Sequence, residues 1–225
     1  MKHLHHTWAL VAALLLLLAP GQRLQAQEET KTPTSIFSLH AGPSWYVGQL
    51  MGITNRANAY CRDLRQGIAW EADYWYTGER PEGKGFRVGP GVLYHGSLYK
   101  AATDEGSDKI GMHYLALQLG TFFFQKHYML QVAAGVGYQF YADKSTVYGK
   151  PRNVSMNKLA CNLSAAGEYF LNNRWGVSAK VNWLISSSEA YSVEYHGEHW
   201  QVDHPHEGEG YFGRLSLLVG LNYHF

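Results

Sequence analysis

Cysteine is scarce: only Cys61 and Cys161 occur, far apart in a chain of 225 residues. No disulfide-stapled small scaffold can be built from one such pair. Charge of one sign is missing as well. The formal net charge is +1, which leaves no electrostatic case for a polyanion such as nucleic acid as partner. Beyond Gln27 there is no uninterrupted apolar stretch of about 18 residues, so the remainder holds no transmembrane helix. It is nevertheless not a disordered chain. Hydrophobic residues make up 46% and charged ones 16% of the sequence, enough apolar material to build an ordered body.

The one long apolar run stands at the start. Lys2 and a few histidines precede the segment from Trp8 to Ala19, and Leu24-Gln25-Ala26 supplies small-residue cleavage chemistry before Gln27. This pattern is that of a secretory signal peptide, residues 1–26. An uncleaved anchor is the rival, but the run is short for a span. No cysteine follows the run, so lipid anchoring is not indicated. A short periplasmic segment, 27–34, then leads into a body covering 35–225.

That body is organised by alternation. In the last segment Tyr211, Gly213, Leu215, Leu217, Val219, Leu221, Tyr223 and Phe225 share one face, and Arg214, Ser216, Asn222 and His224 lie on the other. A period of two means strand. Seven further strands read the same way: Ser35–Val47, Gly67–Thr77, Phe86–Leu98, Met112–Phe124, Tyr128–Tyr141, Lys158–Phe170 and Trp175–Ile185. Their connections alternate. Gly78–Lys84, Gln125–His127 and Leu171–Arg174 are short, whereas Gly48–Gln66, Tyr99–Lys109, Asp143–Asn157 and Ser186–Gly210 are read as long polar loops. Tight periplasmic turns and long extracellular loops have this asymmetry. The 16 Tyr and 7 Trp suit aromatic girdles at two membrane interfaces.

A secreted β-sandwich also alternates, but the second faces of these strands carry Glu71, Asp73, Arg87, Gln118, Gln131, Glu168, Lys180 and Arg214. In a dry sandwich core each uncompensated charge costs several kcal/mol. Inside a narrow barrel the same groups pair with one another and with water. The opposite faces carry no charge through their central parts, as lipid requires, because Arg or Lys there costs about 2–4 kcal/mol. The fold expected is therefore all-β: an eight-stranded antiparallel up-and-down transmembrane β-barrel. Eight strands leave an interior that side chains just fill, so the eight polar residues are expected to form a charge-paired lumen network and no open pore.

The closing segment, an alternating apolar strand ending Tyr223-His224-Phe225, resembles the C-terminal signal of bacterial outer-membrane barrels. Size and pattern resemble OmpA- and OmpX-like eight-stranded barrels, and the Tyr- and Gly-rich strands are similar to small barrels common in Bacteroidota. This resemblance implies an integral protein of the bacterial outer membrane, in contact with outer-membrane lipid and lipopolysaccharide. It also implies recognition of Tyr223 and Phe225 by the barrel-assembly machinery. Architecture does not give activity.

Three constellations remain for chemistry. His95-Gly96-Ser97 resembles the His-x-Ser of an outer-membrane lipid A deacylase, in which His activates Ser, but Leu98 stands where that motif has Asn, and by parity His95 faces inward, whereas that site faces lipid. His196, His199, Asp203, His204, His206 and Glu207 concentrate metal-binding groups in one loop, although Pro205 disfavours a helix that would align them. No metal or other cofactor is expected. Cys61 falls in a loop and Cys161 on a lipid-facing position, so neither is assigned a role. The function expected is a non-enzymatic membrane anchor with loops for structural, adhesive or ligand contact, chiefly 48–66 and 186–210. A component of a secretion or conjugation assembly and a lipid A-modifying enzyme are the alternatives.

Overall fold

The computed structural model describes residues 33–47, 59–104, 106–187, 190–202 and 211–225. The expected signal peptide, residues 1–26, lies outside them, as do 27–32, 48–58 and 203–210. The described elements are β1 (Ser35–Tyr46), α1 (Ala59–Leu64), β2 (Gln66–Tyr76), β3 (Gly85–Thr103), β4 (Gly106–Phe124), β5 (Tyr128–Val147), β6 (Lys150–Phe170), β7 (Trp175–Ser187), β8 (Tyr191–Tyr195), β9 (Glu198–Val202) and β10 (Tyr211–His224).

Eight strands close into a ring. Each of β1 to β6 pairs antiparallel with its successor, β7 pairs with β10, and β10 returns to β1 with Ile36 opposite His224 and Tyr46 opposite Arg214. The seam runs to the final residue: Thr34 N–H donates to the Phe225 carbonyl at 2.6 Å, and Phe225 N–H to the Ser35 carbonyl at 3.0 Å. Closure leaves no strand edge in hydrocarbon, where an unsatisfied N–H or C=O costs several kcal/mol.

Side chains sort by parity. On β4, Leu117 is 70% exposed while its neighbours Ala116 and Gln118 are 8% and 5% exposed. The outside is an apolar band of Leu and Val bounded by two aromatic rows. Phe86, Phe123, Tyr128, Tyr169, Trp175 and Phe225 lie towards the short turns; Trp45, Trp70, Tyr94, Tyr138, Phe140 and Trp183 lie towards the long strand ends. Cys161 belongs to this outer face, exposed on β6.

Two of the four expected long loops are strands instead. β3 to β6 have 19, 19, 20 and 21 residues, about twice the 9–11 needed to cross a bilayer. Segments 99–109 and 143–157 thus continue the ladders, joined by tight turns around Asp104 and at Tyr148-Gly149. Tyr148 and Gly149 both have positive φ, 49° and 74°, the conformation of a two-residue hairpin. Above the upper aromatic row the outward residues, such as Lys100, Lys109, Lys144 and Asn153, meet water, so the polar face reads as loop although the period of two persists. Segment 186–210 likewise contains the hairpin β8–β9, turned at His196-Gly197. β8 adds to the upper part of β6, Arg152 opposite Tyr195 and Ser155 opposite Ser192. In 48–66 the described part forms α1, whose Cys61 and Leu64 are buried.

The interior is layered. At the short-turn end Ile36, Trp75, Phe122, Phe124, Met129 and Phe170 form an apolar plug. At the other end Tyr46, Leu64, Tyr99, Ile110, Met112, Tyr141, Met156 and Val193 form a second, with Tyr60, Tyr191 and Tyr195 against it. Between them lie the polar residues and a small cluster of Leu93, Tyr114 and Leu184. Trp75 fits only because Gly91, its cross-strand partner, presents no side chain: a Cβ there would strike the indole, and Gly120 lies under the same ring. Gly91→Ala should therefore destabilise the barrel by about 1–3 kcal/mol through overpacking, read as a lower urea midpoint in detergent micelles.

Candidate functional site

The lumen centre is built from strands that meet across the ring. Lys180 on β7 extends its ammonium to Glu71 and Asp73 on β2, with Nζ 2.8 Å from Asp73 Oδ2. Glu71 also takes Asn182 Nδ2 at 2.6 Å and lies 2.8 Å from His95 Nδ1. Asp73 accepts from Trp75 Nε1 at 2.7 Å, and His40 Nδ1 is 3.8 Å away. All are buried. Glu71 and Asp73 are two adjacent anions, and only cations held among them make their burial tolerable. Lys180 is that cation; Arg214 is buried one layer up, where it donates to Ser97 Oγ.

A second polar knot lies nearer the short turns. Glu168 Oε1 is 2.6 Å from His224 Nε2, and Glu168 Oε2 accepts from Asn222 Nδ2 at 2.6 Å. Ser178 hydroxyl donates to Asn222 Oδ1 at 3.0 Å and lies 2.8 Å from His40 Nε2, which links the two knots. The polar chain therefore runs through the middle of the molecule and ends at apolar plugs on both sides.

Of the eight residues expected in the lumen, Glu71, Asp73 and Lys180 come together in one layer, Arg214 lies one layer above them and Glu168 in the knot nearer the short turns. Gln118 and Gln131 face inward and are buried, but outside these two knots. Arg87 is elsewhere. It sits in the first pleat of β3, with Nε donating to the Glu79 carbonyl at 3.0 Å and Nη1 to the Phe86 carbonyl at 3.0 Å; its nearness to the β2–β3 turn decides its position more than its parity does. His40 and Asn182, and with them Asn222 and His224 of the polar face of the last strand, complete the two knots; inward parity is the sequence signal that finds them. Tyr223 and Phe225 sit in the lower aromatic row, with ring centroids 4.8 Å apart, and Tyr223 is also 4.8 Å from Trp175.

His40, Glu71 and Asp73 have the spacing of a metal cluster, with ligand atoms within 4.8 Å of one another. Lys180 Nζ already lies on both carboxylates, so the cation position there is filled by the protein itself. His95 and Ser97 both point into the lumen, one on Glu71 and the other under Arg214, away from lipid. In segment 196–206, His199 lies 3.7 Å from Glu194 across the β8–β9 hairpin, His196 is in its turn, and 203–206 lie outside the described residues.

The upper mouth forms a third polar group. Arg152 Nη2 reaches Asp108 at 3.2 Å and Asp143 at 3.6 Å, and Tyr60 of α1 donates to Asp108, tying the helix to the wall. Burial and the neighbouring Asp108 carboxylate push Asp143 up to about 7, with Arg152 opposing. Asp143 stands above the upper aromatic row, outside the membrane-spanning band.

No protein-family description matches the chain, and no curated protein does. Solved structures do. A major outer membrane protein from Thermus thermophilus superposes with TM-score 0.52 at 16% identity, covering 85% of this chain and 99% of that one. Ail, the attachment invasion locus protein of Yersinia pestis, gives 0.50 at 10% identity over 86% and 99%. The outer membrane protease OmpT from Escherichia coli gives 0.50 at 10% identity over 89% and 99%. At these identities the likeness carries the fold: a closed outer-membrane-type β-barrel.

Two outcomes follow from the polar groups. Lys180→Met strands Glu71 and Asp73 without their shared cation and should cost about 3–5 kcal/mol; adding Glu71→Gln and Asp73→Asn should recover most of it, measured by urea unfolding in micelles. At the mouth, a carboxyl whose folded value is raised binds its proton more tightly when folded, so its contribution is complete below about pH 4 and is lost as pH rises through about 7. Hydrogen-exchange protection of the Ile110 and Val154 amides, corrected for intrinsic rates, should be greater at pH 5 than at pH 8, and Asp143→Asn should flatten that difference.

Proposed function

We propose that this outer-membrane-type barrel is a non-enzymatic anchor that displays a rigid extracellular lobe, and that it neither conducts nor catalyses. The observation that carries the reading is the unequal wall. β1, β2, β7 and β10 have 12, 11, 13 and 14 residues, about what a bilayer needs. β3 to β6 rise well beyond it, and β8 and β9 add to β6. Their raised parts form a sheet whose inner side packs Tyr99, Ile110, Tyr141 and Met156 over the mouth.

Its outer side and tips expose Tyr148, His199 and Trp200, polar and aromatic groups on a stiff support, which suits contact with another surface. The lumen below holds side chains in three layers, the middle one charge-paired, which leaves an ion nothing to follow. Outer-membrane lipid surrounds the band, the assembly machinery is proposed to read Tyr223 and Phe225, and the extracellular ligand is proposed to meet the described parts of 48–66 and 186–210.

Reconstituted in planar bilayers, the protein should give no stepwise conductance. On intact cells, epitope tags inserted at Tyr148-Gly149 and at His196-Gly197 should both bind antibody. A tag accessible only after the outer membrane is broken, or regular single-channel steps, would contradict the reading.

A further inference from the structure

Three lysines stand side by side on the outside of the barrel where its wall leaves the lipid. Lys100 of β3 is directly opposite Lys109 of β4, and Lys109 directly opposite Lys144 of β5. All three are exposed and have outward parity. With strands about 4.8 Å apart, three ammonium groups share a row about 10 Å long. Like charges directly opposite one another destabilise a sheet, and among the described residues none of the three enters an ion pair. The next position in the row is Asn153, already bonded to Glu194.

The height of the row identifies its counter-charge. The outward face of β5 reads Tyr138, Phe140, Ala142, Lys144, so Lys144 lies four residues above the upper aromatic row. At about 3.4 Å per residue and a tilt of about 40°, that is about 10 Å above the girdle, on the water side, with ammonium groups on stems long enough to bend down towards the headgroups. Exposed His113, whose Nδ1 lies 2.8 Å from Tyr94 Oη, extends the polar strip downward on β4. The strip is one-sided: no Lys or Arg occupies an outward strand position on β1, β2, β6, β7 or β10.

We infer that Lys100, Lys109 and Lys144 bind the phosphorylated sugar headgroup of an outer-leaflet glycolipid, that is, the phosphates of lipid A. The anion lies between the ammonium groups and removes the repulsion of the row. This rests on the proposed placement, with the long strands outward, and names a lipid site on it.

The test uses the purified protein in detergent micelles, titrated with bisphosphorylated lipid A, with fully dephosphorylated lipid A and with inorganic phosphate, read by tryptophan fluorescence and native mass spectrometry. The wild-type chain should bind bisphosphorylated lipid A at least tenfold more tightly than the variant carrying Lys100→Gln, Lys109→Gln and Lys144→Gln. Both should bind the dephosphorylated lipid equally. Lys109→Glu, which converts repulsion within the row into attraction, should abolish the preference for the phosphorylated lipid while raising the urea midpoint in lipid-free micelles. That increase separates loss of a site from loss of the fold. Equal affinity of wild type and triple variant for bisphosphorylated lipid A would overturn the inference. Saturable binding of inorganic phosphate as tight as that of the lipid would also overturn it, in favour of a free-anion site. Solubility of the wild-type protein without detergent would instead sink the barrel placement itself.

Discussion

Everything in this molecule depends on the pairing of β1 with β10. Within hydrocarbon no water is available to satisfy a strand edge, so the first and last strands must find each other or none can remain in the membrane. The lower end of the seam is closed by Thr34 N–H donating to the Phe225 carbonyl and Phe225 N–H donating to the Ser35 carbonyl. Once the ring is shut its circumference is fixed, and the interior becomes too narrow for anything but side chains. The layered lumen, the need for cations beside Glu71 and Asp73, and the glycine beneath Trp75 all follow from that width.

The same closure leaves the end with the long strands free to vary. A short strand needs only to span lipid; a longer one must have its inward face covered. β3 to β6 solve this by curving a sheet over the mouth and filling it with tyrosine, methionine and isoleucine, helped by Leu64 of α1 and Val193 of β8. The mouth is sealed as a small hydrophobic core. It is held at its rim by Arg152 between two aspartates, of which Asp143 is pushed up by burial and by the neighbouring Asp108 carboxylate.

The transmembrane part was legible because two solvents act on one strand. Lipid admits only apolar residues on one side and the lumen collects polar ones on the other, so parity alone points Glu71, Asp73, Glu168, Lys180 and Arg214 inward, and all five are buried. Legibility failed where one of those solvents changed. Above Tyr94 and Phe140 both faces of the wall could carry polar residues, and Lys100, Lys109, Lys144 and Asn153 on the outer face made continuing strands look like loops. Arg87 had the right parity, but at a strand end the turn competes for the side chain. The helix Ala59–Leu64 is too short for its periodicity to show, and its place is set by what it covers. Which groups pair in the lumen depends on strand order around the ring, information that no local window contains.

Alternation on the membrane face of β4 is the direct measure of the account. In a background carrying Cys61→Ser and Cys161→Ser, single cysteines placed from position 114 to position 119 would be spin-labelled, reconstituted in bilayers, and probed with oxygen from the lipid and a polar relaxant from water. Labels at 115, 117 and 119 should show high oxygen contact and little relaxant contact, and those at 114, 116 and 118 neither. A uniform profile, or strong relaxant contact at 117, would contradict a lipid-facing wall.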